Sequence, residues 1–205
     1  MSVVTMAGEP EQQLRAAAIN GDAPRISTLL DAGAKLESRD DNGRTALMLA
    51  TRHHRVEAAR VLIEAGADVN AKDDIHDSPY LYAGASGYND ILELTLAHGA
   101  DLASTNRYGG TALIPAAERG HVETVNMLIA AGVNVDHINR LHWTALMEAI
   151  VLGQGGPEHT KIVALLLKAG ADPNIADANG ITPLQHARKL GYTGMVQLLE
   201  QAGGR

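Results

Sequence analysis

Residues 107–136 read RYGGTALIPAAERGHVETVNMLIAAGVNVD, and this stretch decides the architecture because it holds a complete helix–turn–helix signal. Thr111 is placed to cap a helix, with Ala112 in the first turn. A threonine oxygen there accepts an amide proton that a helix start leaves unpaired. Pro115 follows four residues later and removes a donor, so that either the Thr111 carbonyl is left facing outward or a small kink relieves it. Ala116 and Ala117 permit close packing, and Gly120 ends the short helix where a left-handed backbone costs little. A second helix carries Val122, Val125, Leu128 and Ile129 on one face and stops at Gly132. One such unit cannot bury its own apolar face, so it needs neighbours of the same kind.

The neighbours are present. Gly33, Gly66, Gly99, Gly132, Gly170 and Gly203 recur at steps of 33, 33, 33, 38 and 33 residues, all but the last of them followed by Ala or Val. A second mark, Ser or Thr followed by Ala or Pro, stands at Thr45, Ser78, Thr111, Thr144 and Thr182 and shares the single longer step. Gly87, Gly153 and Gly191 occupy the place of Gly120. Segments such as ADVNAKDDIHDS (67–78), rich in Asp and Asn, read as turns projecting from the helices. The units are 9–40, 41–73, 74–106, 107–139, 140–177 with an insertion at 154–158, and 178–205, forming a single domain after a disordered 1–8. The first unit begins directly in a helix, and the last carries Arg188, Lys189, Gln197, Glu200 and Gln201 where interior units put stacking residues. Polar outer faces of this kind cap a repeat array.

Residues 107–136, and DANGITPLQHARKLGYTGMVQLLEQAG at 177–203, resemble the ankyrin repeat: a turn, T-P-L-H, two Ala, G-H, an aliphatic helix and G-A-D-V-N. The resemblance runs from about Glu11 to Gly203, and the arrangement is similar to small stand-alone bacterial ankyrin-repeat proteins of unassigned function. It implies an all-α solenoid of stacked helix–turn–helix units with protruding turns. Some positions depart from the pattern. The His of T-P-L-H is Met48, Leu81, Ile114, Met147 or Gln185, so apolar packing replaces its polar network. His76 and His142 stand at turn glycines and His54 at the glycine ending a first helix, where strain or a different shape is expected.

Composition agrees with thin helical layers. Among 205 residues there is no Phe and one Trp, and the apolar residues are chiefly Ala, Leu, Ile and Val. A net charge of −7 with scattered basic residues argues against nucleic acid. The absence of Cys excludes disulfides and thiolate chemistry. No segment has signal-peptide or membrane-span character, which gives the expectation of a cytoplasmic protein, or a periplasmic one had a signal peptide been removed. The glycine cluster in LGQGGPEHTKIVALLLKAGAD (152–172) lacks the Lys-Ser/Thr and the preceding strand of a phosphate loop. Gly153 reads instead as the inter-helix glycine and His159 as the counterpart of His121, with Pro157 opening a lengthened second helix.

The resemblance implies a concave surface formed by turn tips and the exposed side of the first helices. Its candidates are Arg44, Arg52 and Tyr82; then Arg107, Tyr108, Glu118 and Arg119; then Arg140, Leu141, Trp143 and Glu148. Trp143 and Tyr108 lie on neighbouring turns, and Trp, Tyr and Arg supply many binding hot spots; packing of Trp143 on the adjacent turn is the competing reading. The leading expectation is a non-catalytic, monomeric module that binds an unidentified partner protein, with no cofactor and no metal. The alternative is a small-molecule binder or hydrolase with a pocket around Glu118, Glu148 and Arg119. Those glutamates sit at different positions of their helices, with no evident partner to raise a pKa, so a solvated charged face accounts for them. A structural or self-associating role is a third possibility.

Overall fold

Four of the five repeat hydroxyls cap a helix as their spacing predicts. The Met48, Leu81 and Met147 amides donate to Thr45 Oγ1, Ser78 Oγ and Thr144 Oγ1, each at 3.2 Å. Thr182 goes further: its Oγ1 accepts from Gln185 N at 3.3 Å while its own amide donates to Gln185 Oε1 at 3.0 Å, a reciprocal capping box.

The computed structural model describes residues 9–205; the stretch 1–8, read as disordered, lies outside the described residues. The described chain is helical, with no strand: α1 Glu9–Asn20, α2 Ala23–Asp31, α3 Ala46–Arg52, α4 Val56–Glu64, α5 Pro79–Ser86, α6 Asn89–Ala97, α7 Leu113–Glu118, α8 Val122–Ala131, α9 Ala145–Val151, α10 Pro157–Lys168, α11 Pro183–Leu190 and α12 Thr193–Gln201. Its packing divides into two compact units, one formed by residues up to Ala83 with Asp90–Ala100, the other by Gly84–Asn89 with Asp101–Arg205.

In the first unit α1 packs on α2 and α3, and α4 on α2 and α3. Leu14, Ile26, Leu47, Met48 and Leu62 are fully buried there, each contributing about 1.5–3 kcal/mol by leaving water. In the second unit the first helices pack in sequence, α7 on α9 and α9 on α11, and the second helices likewise, α8 on α10 and α10 on α12. Ala116, Ala117 and Ala149 are fully buried between them, which is what lets the helices approach closely. Met48, Leu81, Ile114 and Met147 are all buried, so apolar packing does stand where the T-P-L-H pattern has its histidine. On α8, Val125 and Leu128 form the core, Val122 and Ile129 are half-buried, and Thr124 is buried with its hydroxyl donating to Asn89 Oδ1 at 2.6 Å.

Two local expectations are corrected. Thr111 does not cap with its side chain: Oγ1 is buried without a hydrogen-bond partner, and Ile114 N donates to the Thr111 carbonyl at 3.2 Å. Pro115 is the reason, because lacking an N–H it cannot close the ordinary first-turn bond, and the chain tightens by one residue. The Thr111 carbonyl is therefore occupied rather than free, and α7 is left at six residues. Nor does Gly153 take the left-handed conformation; Gly155 in the insertion does, with φ 66°. Gly153 is required by space, since a Cβ there would meet the Ala149 carbonyl oxygen at 2.1 Å and the His159 ring at 2.5 Å. Pro157 does open a lengthened helix, α10 having twelve residues. His54, His76 and His142 have φ of 51°, 63° and 61°, so the strain expected at substituted glycines is present.

Candidate functional site

Each turn is organised by one Asp or Asn that recurs with the repeat. The Oδ1 atoms of Asp40, Asp73, Asn106, Asn139 and Asp177 each accept two backbone amides, from residues two and four positions on. A side chain that holds two amides of the same turn locks a turn that would otherwise be floppy. The rigid tips then present whatever residue stands at the middle. In the second unit these are Tyr108 and Leu141, 53% and 55% exposed. Sequence reading passed over the Asp/Asn positions, although their recurrence at the same period was visible.

Of the candidates in the first unit, Arg52 stacks over the Tyr82 ring at 4.9 Å. Arg44 is turned toward the buried Asp73, with Nε 3.7 Å from Oδ2, so it fastens one turn to the next. In the second unit Arg107 lies 4.7 Å over the Tyr108 ring. Arg140 continues the row: its amide donates to the Tyr108 carbonyl at 3.0 Å and its Nη1 to the Arg107 carbonyl at 2.7 Å. Arg119 Nη1 reaches the Ala85 carbonyl at 2.6 Å. Apart from Arg44, these arginines are engaged with backbone carbonyls or aromatic faces. Trp143 is half-buried, its amide held by Asn139 Oδ1 at 3.1 Å.

The glutamates correct the sequence reading most sharply. Glu148 is not on a solvated face; it is 5% exposed. The Asn139 that shapes the Leu141–Trp143 turn also donates through Nδ2 to Glu148 Oε1 at 2.7 Å, tying that turn to α9. Burial, and next the Glu118 carboxylate on α7, push the Glu148 carboxyl up to about 7, against the lowering effect of the Asn139 bond. A partner raising the pKa therefore exists, and it is Glu118. In the following repeat the same two positions hold Asp177 and His186, joined at 2.8 Å; that bond, foremost, holds the Asp177 carboxyl below its usual range. Nothing in the sequence pattern shows that a residue nine places after the turn Asp/Asn would reach back to it.

No group of three or more His, Cys, Asp or Glu side chains is placed to hold a metal among the described residues. No described helix is long and apolar enough to cross a membrane. A shallow apolar depression of about 300 Å³ in the second unit lies on α8 and α10, lined by Val122, Lys161, Ala164, Leu165 and Lys168. None of the expected pocket residues Glu118, Glu148 and Arg119 lines it.

Comparison with known proteins agrees with the geometry. Residues 7–73 and 80–177 match the family described as ankyrin repeats (3 copies). The structure is similar to the crystal structure of an ankyrin repeat domain from Acinetobacter baumannii AYE, with 64% identity, a TM-score of 0.92, and 94% of this chain and 98% of that one covered. It is also similar to the ankyrin repeat protein EF0377, with 41% identity, a TM-score of 0.89, and 93% and 98% covered. The human ASB11 ankyrin repeat domain matches at 26% identity and a TM-score of 0.78, with 94% and 84% covered. A curated relative, the ankyrin repeat protein YahD of Escherichia coli K12, is 50% identical over 56 residues, a stretch that is 27% of this chain and 28% of that protein. With the repeat period, the caps, the locked turns and these likenesses in agreement, the chain belongs to the ankyrin-repeat family.

Proposed function

We propose that this protein is a non-catalytic interaction module that binds a partner protein, and that the second unit receives it across the turn tips carrying Tyr108 and Leu141 and the adjoining helices α7 and α9. Ankyrin repeats generally mediate protein–protein interaction and are typically non-enzymatic scaffolds. The observation that carries the reading for this chain is the pair of large apolar side chains held more than half exposed on rigid tips. Turns locked by Asn106 and Asn139 lose little freedom on binding, so the contact energy of Tyr108 and Leu141 is not consumed by ordering. Trp143, half-buried beside them, adds an anchor on the same turn as Leu141.

A hydrolase reading would use Glu148 as a proton donor beside Glu118. The two glutamates do not line the apolar depression of about 300 Å³ on α8 and α10, and the two arginines nearest the pair in sequence are spent on carbonyls. The interaction reading is tested by affinity capture from native extract with wild type beside the Tyr108→Ala/Trp143→Ala double variant. A partner held by the wild type and lost by the double variant supports the surface; capture of the same partners at undiminished affinity overturns it.

A further inference from the structure

Counted back from its stop glycine Gly170, α10 has Lys161, Ala164 and Lys168 at nine, six and two positions. At the first of these positions α4, α6, α8 and α12 carry Glu57, Asp90, Glu123 and Gly194, and at the last Glu64, Ala97, Ala130 and Gln201. Acids and neutral residues thus give way to two cations on this helix alone. The middle position holds Arg60, Glu93, Asn126 and Gln197 in the same four helices. An alanine there is too short to cover its neighbours, which opens the apolar depression of about 300 Å³ that Val122, Ala164 and Leu165 floor and the two lysines edge. The three floor residues are half-buried and both lysines exposed. Lys161 and Lys168 stand two helical turns apart, about 10.5 Å along the axis, with Ala164 and Leu165 between them on the same face. Neither lysine takes part in a hydrogen bond or ion pair among the described residues.

An apolar floor between two unpaired cations specifies its occupant by charge as well as by shape. We propose that this face of α8 and α10 is a second interaction surface, on the second helices rather than the turn tips, and that it receives an acidic segment of a partner protein. An aliphatic or aromatic side chain of that segment rests on Val122, Ala164 and Leu165, and Asp or Glu carboxylates on either side of it meet Lys161 and Lys168. Each lysine stem extends the apolar floor while its ammonium stays in water, ready for a carboxylate. Cations at both ends suit a chain charged on both sides of an apolar residue. A fatty acid, with one charged head, leaves one lysine idle and its tail in a depression too shallow to enclose it, and a nucleic-acid backbone gains nothing from the floor. The protein as a whole carries a net charge of −7. At about 0.15 M salt, however, fields fade over about 8 Å, so a docked carboxylate senses chiefly the two lysines.

The test is selection of short random peptides displayed on phage against the full chain at about 0.15 M salt, after depletion of the library on Lys161→Glu/Lys168→Ala. That variant restores the α8 residues at both positions, and thermal melts confirm that it folds. Surviving peptides are made synthetically and titrated against wild type, the lysine double variant, Ala164→Asn and Tyr108→Ala/Trp143→Ala. The expected result is enrichment of Asp or Glu on both sides of an apolar residue. Binding should weaken about tenfold or more in the lysine double variant and in Ala164→Asn, which fills the depression as α8 does, and stay unchanged in Tyr108→Ala/Trp143→Ala. No peptide surviving depletion overturns the proposal. So do acidic peptides without an apolar residue that are indifferent to Ala164→Asn, and peptides that lose their affinity for Tyr108→Ala/Trp143→Ala, which belong to the tips. Laurate binding as tightly as the peptides and displacing them assigns the depression to an anionic amphiphile instead. A wild-type dimer in sedimentation that the lysine double variant abolishes assigns it to a second copy of the chain, and either result overturns the partner segment.

Discussion

Glu148 shows how one buried carboxyl makes stability depend on pH. A carboxyl raised from 4.5 to about 7 on folding prefers its neutral form in the native chain. The unfolded chain then gives up its proton first as pH rises, so stability is unaffected below about pH 4.5, falls between there and about pH 7, and levels off above. The loss is at most about 3 kcal/mol for a shift of that size. Glu148→Gln should accordingly melt higher than wild type at about pH 8.5, with the difference vanishing near pH 4; equal melting temperatures across that range would show that the carboxyl is not held neutral. The left-handed histidines give a second prediction. His142, exposed at φ 61°, carries strain that glycine does not. His142→Gly should stabilise the chain by about 1 kcal/mol in urea unfolding. His54→Gly should gain less, because it also loses the 2.9 Å contact of Nε2 with Asp90 Oδ1.

Helix starts that look alike in sequence differ in what holds them. Thr144 and Thr111 occupy equivalent places, but Thr144 Oγ1 accepts from Met147 N while Thr111 Oγ1, buried, accepts nothing. Thr144→Ala should therefore cost about 1 kcal/mol. Thr111→Val should cost nothing or stabilise slightly, since it replaces a buried unpaired hydroxyl with a methyl group. Denaturant midpoints of the two variants compare them directly. The insertion also departs from what its glycines suggest: the chain reverses at Gly155, where a Cβ would lie 2.3 Å from the Tyr192 ring, and Gly153 is reserved for close approach. Tyr192 from the next repeat, with Ala149 and His159 of the same one, thus sets the space these glycines occupy.

What sets this chain apart within the ankyrin-repeat family lies in its departures from the repeat pattern. Its net charge of −7 sets a long-range repulsion for acidic segments that the two lysines of α10 do not cancel. Association of an acidic peptide should quicken about threefold between about 0.01 and 0.15 M salt, as screening shortens the reach of that field. Stopped-flow association rates measure this; a rate independent of salt would show that the overall charge does not steer the encounter.

Much of the architecture was legible from local chemistry alone. The capping hydroxyls, the stop glycines, the aliphatic spacing and the turn residues act within a few positions of one another, and repetition at a shared period reinforced each signal. The histidines at turn glycines could be marked as strained for the same reason. The candidate site was only half legible. Tyr108 and Leu141 could be placed on tips from their register, but whether Glu148 met water depended on α7 packed against α9 and on an asparagine nine residues upstream. The arginines likewise looked like free binding groups until carbonyls at distances of about 33 residues in sequence claimed Arg119 and Arg140. Backbone conformation follows from neighbours along the chain, which the sequence displays in order. Burial, pKa and the pairing of charges follow from neighbours across the stack, which exist only once the repeats have packed.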